Sequence, residues 1–369
     1  MRVTRLELRD FRNYKGAGVE LGRGLTVVVG ANGAGKTNLL EALYLGCTGK
    51  SPRTPNQREL VRRGASVARV VLYTVDGEDA HRIEVGFEPG GSRRIRVDGA
   101  RVDGLIGFEE RPLVGVFMPE RLELMKGPPA VRRAHLDQVV AALWPARADA
   151  RTAYSRALAQ RNALLVRIRA GRAGTGALHA WDAELARQGM KLMDHRRGAV
   201  EALRPAFAEL AGRLGLAGRA ELLYRPRSDA IDASGFAAEL RERRQADVER
   251  GFTAHGPHRD ELSLTLDGNS LRIYGSQGQQ RVALLALLFA ERRLLAERRG
   301  RPPLMLLDDV MSELDADRRE LLAELLAEGG QALVTATEPD QLPEAALARA
   351  RLIRVEEGRI VQPMQVVAA

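Results

Sequence analysis

The stretch Leu25-Thr26-Val27-Val28-Val29-Gly30-Ala31-Asn32-Gly33-Ala34-Gly35-Lys36-Thr37 decides the fold. Its first five residues run apolar and β-branched without alternation, as in a strand buried on both faces. Gly30 to Thr37 then match G-x-x-x-x-G-K-[ST]. The glycines let the backbone curl so that its N–H groups converge on phosphate oxygens. A helix from about Lys36 to Leu45 is expected next, with its positive N-terminal end turned on the same anion. Lys36 would reach the β- and γ-phosphates of ATP, and the Thr37 hydroxyl would ligate Mg²⁺. The backbone of Gly30, Ala31, Asn32, Gly33, Ala34 and Gly35 would form the cradle. Lysine is scarce in the chain, so the match is not a by-product of composition. The competing reading is a structural glycine-rich turn.

Such a loop needs a carboxylate at the end of a neighbouring strand. Leu304-Met305-Leu306-Leu307-Asp308-Asp309 supplies one. Four apolar residues make a buried strand, and Asp308 emerges at its carboxyl end, where ligands bind in such sheets. Asp308 is expected to hold Mg²⁺, directly or through water, and Asp309 to polarise the attacking water. A pair of acids that merely caps a strand end is the alternative. Ser276-Gln277-Gly278-Gln279-Gln280-Arg281 precedes a long apolar helix and resembles the signature of ABC ATPases. In that class Ser276, Gly278 and Gln279 would complete the nucleotide site of a second subunit; on its own, Ser276 also reads as an ordinary helix cap. Ser312-Glu313-Leu314-Asp315 resembles the D-loop of the same class. Where ABC transporters carry a switch histidine, Thr337 stands here, either to contact the γ-phosphate or its water or as a core strand-end threonine.

Length and composition set the frame. The 369 residues suit two domains, or one large domain with an insertion. The net charge of +9 and pI near 10.1 favour a polyanionic partner, nucleic acid or an anionic membrane, although arginine-rich faces are often only solvated. A single cysteine, Cys47, rules out an internal disulfide and a cysteine-based zinc site. The N-terminus lacks an apolar signal region, and the longest apolar run, Val282 to Ala290, is too short to span a bilayer. A soluble, cytoplasmic protein with no membrane partner is therefore expected.

Along the chain, strands are expected at 2–9, 25–29, 68–75, 81–87 and 93–97, the last three as an antiparallel meander with turns at Asp76-Gly77 and Asp98-Gly99. From Pro119 to about Gly251 strand signals nearly vanish, and helical periodicity dominates, as in Tyr154 to Ile168 and Trp181 to Leu203. Gly171, Gly174, Gly176, Pro205 and Gly215 are read as breakers between helices. Strands return at 261–266 and 271–274 across Asp267-Gly268-Asn269, followed by a helix at 279–299, a strand at 304–307, a helix at 318–326 and a strand at 332–335. This pattern predicts an α/β fold: an ABC-type P-loop ATPase head, with a mixed sheet plus an antiparallel β meander, built from residues 1–118 and 251–369. Residues 119–250 form an inserted all-helical arm.

Further blocks make the chain resemble the RecF family over nearly its whole length. They are Phe11-Arg12-Asn13-Tyr14, Thr37-Asn38-Leu39-Leu40-Glu41-Ala42, Phe117-Met118-Pro119-Glu120-Arg121-Leu122, Gly127-Pro128-Pro129, Arg132-Arg133-Ala134-His135-Leu136-Asp137 and Gly256-Pro257-His258-Arg259-Asp260-Glu261-Leu262. Arg121 departs from the family, where an acid is expected. The resemblance implies a slow ATPase that forms an ATP-dependent homodimer, binds single- and double-stranded DNA, and works with RecO and RecR at gapped DNA. It also implies that Arg12 touches an ATP phosphate, against the reading of a surface arginine at a strand end. Arg132 and Arg133 face either DNA phosphates or solvent. His255 and His258 lack the companions of a metal site. Trp144 and Trp181 are read as packing residues rather than base-stacking platforms. The reading from a different class is an ATPase subunit of a transport or small-molecule phosphotransfer system.

Overall fold

The computed structural model describes residues 1–88, 93–105, 108 and 111–361, so the end of the expected head, 362–369, lies outside the described residues. In chain order the strands are β1 (Arg2–Phe11), β2 (Tyr14–Glu20), β3 (Leu25–Val29), β4 (Ala68–Asp76), β5 (Asp79–Phe87), β6 (Arg94–Val97), β7 (Ala100–Val102), β8 (Val114–Phe117), β9 (Ala220–Arg225), β10 (Glu261–Leu266), β11 (Asn269–Ser270), β12 (Leu304–Leu307), β13 (Ala332–Ala336), β14 (Arg351–Glu356) and β15 (Arg359–Val361). The chain divides into two compact units. The first joins Met1–Leu122, Arg213–Gly215 and the residues from Leu284 on; the second joins Glu123–Gly212 and Leu216–Ala283.

The first unit holds two six-stranded sheets. One is antiparallel, in the order β2-β1-β4-β5-β6-β7. In β1 buried Leu6 and Leu8 alternate with exposed Arg5 and Arg9, and a register shift against β4 between Val3 and Arg5 keeps Val3 buried as well. That alternation is the mark of a sheet covered on one face only. The other sheet runs β15-β14-β3-β13-β12-β8, parallel from β14 to β8. Its central strands β12 and β13 are buried at every position, as an unbroken apolar run requires.

Helix α1 (Lys36–Thr48) packs against both sheets. Leu39, Leu40, Leu43 and Leu45 are buried, each contributing roughly 1.5–3 kcal/mol of transfer free energy. Gly46 lets the helix approach β4, since a Cβ there would lie 2.5 Å from the Leu72 side chain. Cys47 is a fully buried filler whose thiol burial pushes up to about 12. Among the described residues, no helix is long and apolar enough to cross a membrane.

The second unit corrects the expected boundaries and the all-helical arm. Its helices span Pro129–Leu143, Ala150–Arg169, Leu178–Arg213, Ala233–Glu242 and Arg244–Arg250. It also contains the sheet β11-β10-β9, in which β9 pairs antiparallel with β10 from Glu261↔Arg225 to Leu266↔Ala220. β9 lacks β-branched residues, so local propensity hides it; the partner strand fixes it. That pairing draws residues 251–283 into this unit. Pro205 lies inside the helix Leu178–Arg213 rather than ending it, because Leu203, Phe207 and Leu210 continue its buried face. The expected strand at 271–274 is a helical turn, Leu271–Tyr274. The Asp267-Gly268 hairpin does form, but β11 stops at Ser270.

The block from Gly256 to Leu262 ties this unit together. Tyr154 donates its hydroxyl proton to His258 Nδ1 at 2.7 Å, and His258 Nε2–H donates to the Thr253 carbonyl at 2.9 Å. Arg196 donates to Asp137 (2.8 and 3.0 Å), to the Pro257 carbonyl (2.7 Å) and to Asp260 (3.3 Å). Arg132 is buried in a two-pronged pair with Glu261 at 2.7 and 2.8 Å, and Arg133 donates to the Asp260 carbonyl at 2.8 Å. Arg132 is therefore a structural residue and faces neither solvent nor DNA. His255 bonds Glu239 at 2.6 Å.

Candidate nucleotide-binding site

The P-loop turn follows β3 at the carboxyl edge of the parallel sheet. Gly35, the N-cap of α1 with φ 120°, has no side chain to bond the first-turn N–H groups, and the first turn carries no acid. Those donors therefore face outward on a positive helix end. Lys36 is buried, and its ammonium donates to the carbonyls of Gly30 (2.6 Å) and Ala31 (3.1 Å). Burial lowers its pKa, while the charges of Asp309 and Asp308 act to raise it.

Beside the loop, Thr37 Oγ1 donates to Asp308 Oδ2 at 2.8 Å. The other carboxylate oxygen, Oδ1, accepts from Thr335 Oγ1 at 2.7 Å. Asp308 N–H donates to the Phe117 carbonyl of β8 at 2.9 Å, extending the parallel pairing by one residue. Burial raises the Asp308 pKa; the hydroxyl bonds from Thr335 and Thr37 oppose this, and the charges of Asp309 and Glu120 add to it. A desolvated carboxylate and a hydroxyl held side by side form an all-oxygen donor set, which suits a hard divalent cation such as Mg²⁺.

Asp309 adopts φ 47°, the left-handed region, which aspartate tolerates at a modest cost. The amide of Asp309 donates to Thr335 Oγ1 at 2.8 Å, and its carbonyl accepts from Ser312 Oγ at 2.8 Å. Its carboxylate Oδ1 is buried without a hydrogen-bond partner. A buried acceptor in that condition costs on the order of 1–3 kcal/mol. Thr335 thus holds both acids, and sequence reasoning passed it over in favour of Thr337. The signal was a lone hydroxyl in the strand Ala-Leu-Val-Thr-Ala. Thr337 is itself engaged by Gln341, whose Nε2 donates to Thr337 Oγ1 at 2.9 Å and whose Oε1 accepts from Thr337 N at 3.1 Å.

The Phe11 to Tyr14 motif buttresses the loop from behind. Asn13 Nδ2 donates to the Ala34 carbonyl and the Tyr14 hydroxyl to the Gly35 carbonyl, both at 3.0 Å. A Cβ at residue 35 would meet Asn13 Nδ2 at 2.7 Å, so this contact needs glycine. The Gly358 amide, in the β14–β15 turn, also donates to the Ala34 carbonyl, at 2.8 Å. Arg12 makes a two-pronged bond to Glu41 of α1 at 2.8 and 2.7 Å, and its remaining nitrogen donates to the Glu59 carbonyl at 2.8 Å. Glu41 is fully buried and also accepts from Ser51 (2.6 Å) and Arg53 (3.4 Å). Arg53 in turn pairs with Glu120 at 3.1 Å. These partners were not foreseen.

In the second unit, Ser276 and Gln279 exchange hydrogen bonds. Gln279 N donates to Ser276 Oγ at 3.2 Å, and Ser276 N donates to Gln279 Oε1 at 2.8 Å. This reciprocal capping box opens the helix Gln277–Arg299 and leaves Ser276 and Gly278 exposed and Gln279 partly exposed.

Known proteins resemble this chain in sequence and in fold. The chain is 38% identical to the DNA replication and repair protein RecF of Heliobacterium modesticaldum over 372 residues, covering 98% of this chain and 99% of the relative. It is 41% identical to the RecF protein of Anaeromyxobacter over 377 residues, with coverage of 98% and 99%. The chain belongs to the RecF family. A family described as AAA domain matches residues 5–112. The structure of a recombination mediator protein RecF bound to ATP, in the RecFOR pathway, superposes with a TM-score of 0.87 at 27% identity, covering 98% of this chain and 97% of that one. An Smc head bound to the C-winged helix domain of ScpA shares the fold, with a TM-score of 0.57 at 19% identity, covering 100% of this chain and 98% of that one. The fold is that of an ABC-type ATPase head.

Proposed function

We propose that this RecF-family chain is an ATP-switched DNA-binding mediator of replication and repair. The P-loop from Gly30 to Thr37 holds the phosphates of ATP, with Lys36 turning from its backbone carbonyls to the β- and γ-oxygens. Thr37 and Asp308 would hold Mg²⁺, which neutralises phosphate charge when bound. Asp309, with its free buried carboxylate oxygen, would orient the attacking water, and the Thr337 hydroxyl would contact the γ-phosphate or that water. Arg12 acts on the phosphates through Glu41 and the P-loop helix. Ser276, Gly278 and Gln279 complete the site of a second copy, so that ATP drives homodimer formation. The dimer engages DNA, acts with RecO and RecR to load recombinase, and is reset by slow hydrolysis in the cytoplasm.

The observation that supports this reading is the set Thr37–Asp308–Thr335–Asp309, in which Asp308, the proposed metal carboxylate, bonds the hydroxyls of Thr37 and Thr335, and the amide of Asp309, the proposed water-orienting acid, bonds the same Thr335. The test is molar mass by light scattering together with DNA affinity by anisotropy, each with and without ATP. Dimer formation and tighter DNA binding on ATP support the proposal. A monomer whose DNA affinity ignores ATP sinks it.

A further inference from the structure

The solvated face of the antiparallel sheet carries a trough of about 890 Å³. Arg5 and Arg9 on β1, Lys15 on β2, Arg69 on β4, Arg82 on β5 and Arg359 on β15 line it. Arg9 stands directly opposite Arg69 in the register of β1 with β4. Like charges placed opposite each other in a sheet are unfavourable unless something else uses them. Arg69 and Arg82 are both anchored on the buried carboxylate of Glu84, which fixes two guanidinium groups on this face. Arg9, Lys15 and Arg359 make no ion pair among the described residues.

The floor is bare backbone. Opposite Arg9 and Glu7 on β2 stand Gly16 and Gly18. A Cβ at residue 16 would find its nearest neighbour 4.0 Å away, so the glycine is not required by packing. Two glycines in one strand cost intrinsic β-stability and gain close approach for a ligand. The described residues lining the trough include no aromatic side chain. A single strand is usually held by base stacking on aromatic platforms; a duplex keeps its base faces stacked inside and meets a protein first through its phosphates.

We propose that this trough takes the phosphodiester backbone of duplex DNA. The proposal rests on the DNA-binding reading above and names its surface. The test uses the full chain and the triple variant Arg9→Gln, Lys15→Gln, Arg359→Gln, none of which takes part in the nucleotide site. Anisotropy is measured with a labelled duplex and with one of its strands, over a range of salt concentrations, alongside affinity for a fluorescent ATP analogue.

The expected result is at least a tenfold loss of duplex affinity at low salt. The slope of log affinity against log salt should also fall by about 2 to 3, since each lost phosphate contact removes about 0.9. Unchanged nucleotide affinity would show that the fold and the ATP site are intact. A variant with wild-type duplex affinity and slope overturns the trough while leaving the DNA-binding reading intact. A loss confined to single strands overturns the duplex assignment. A wild-type chain that binds no DNA removes both.

Discussion

Thr335, on β13, donates its hydroxyl proton to Asp308 Oδ1, at the end of β12, across 2.7 Å. Thr335 Oγ1 also accepts from the Asp309 amide at 2.8 Å, so one side chain sets the carboxylate of one acid and the backbone of the next. Thr335→Val keeps the volume and removes both bonds. Leaving buried partners unsatisfied costs on the order of 1–3 kcal/mol. The expected outcome in calorimetric titration is roughly a tenfold loss of ATP affinity in Mg²⁺, with Thr335→Ser close to wild type. Equal affinity of the valine variant would remove Thr335 from the site.

The two neighbouring acids should separate binding from hydrolysis. Asp309 stands where many ABC ATPases carry glutamate, one methylene longer. A misplacement of about 1 Å can cost on the order of a hundredfold in rate, so turnover should lie well below ~10 s⁻¹. Asp309→Asn should nearly abolish single-turnover hydrolysis and preserve, or prolong, the ATP-bound dimer on DNA. Asp308→Asn should instead weaken Mg²⁺–ATP binding. Because burial raises the Asp308 pKa, wild-type affinity in Mg²⁺ should begin to fall at a higher pH than for an ordinary aspartate. Hydrolysis by Asp309→Asn at the wild-type rate would show that another group orients the water.

Ser276 caps its own helix and also, on the proposed reading, a neighbour's phosphate. Ser276→Arg removes the cap, worth about 1 kcal/mol, and puts a bulky cation at the seam. The variant should bind ATP as a monomer with near-wild-type affinity and fail to dimerise in light scattering. Dimers as abundant as in the wild type would contradict the trans role.

His258 gives the second unit an acid limit. Burial lowers its pKa from 6.5 to about 4. Between those values the unfolded chain binds a proton that the folded imidazole refuses, so stability falls as pH drops through this window and levels off below it. The total is on the order of 3 kcal/mol. Denaturant titrations should show this loss between pH 6.5 and 4, reduced in His258→Asn. A wild-type curve that is flat over that window would show that the imidazole is accessible to protons in the folded state.

The candidate nucleotide site was legible because its residues lie in short local spacings. The P-loop, Asp308 and the strands β3 and β12 fall where the residues indicate, with identical bounds for both strands. What escaped was set by distant partners. β9 reads as helix until β10 pairs with it, and Pro205 reads as a stop until the buried face beyond it is seen. The Phe11 to Tyr14 motif could be quoted but not explained, since Asn13 and Tyr14 act on carbonyls more than twenty residues away. Thr335 looked like one more strand residue because its role needs the register of β13 against β12.

β3 is flanked by β13 and β14, strands that lie some three hundred residues downstream, and Ala34 is clasped by Gly358. A chain still emerging from the ribosome therefore carries its phosphate loop on a strand with two bare edges. Synthesis at ~5–20 residues per second keeps those edges open for tens of seconds. Such an exposed, β-branched apolar strand is prone to pairing with the wrong partner. The phosphate loop gains both neighbours of its strand only once β13 and β14 have been made, so a product that stops before them should bind no nucleotide.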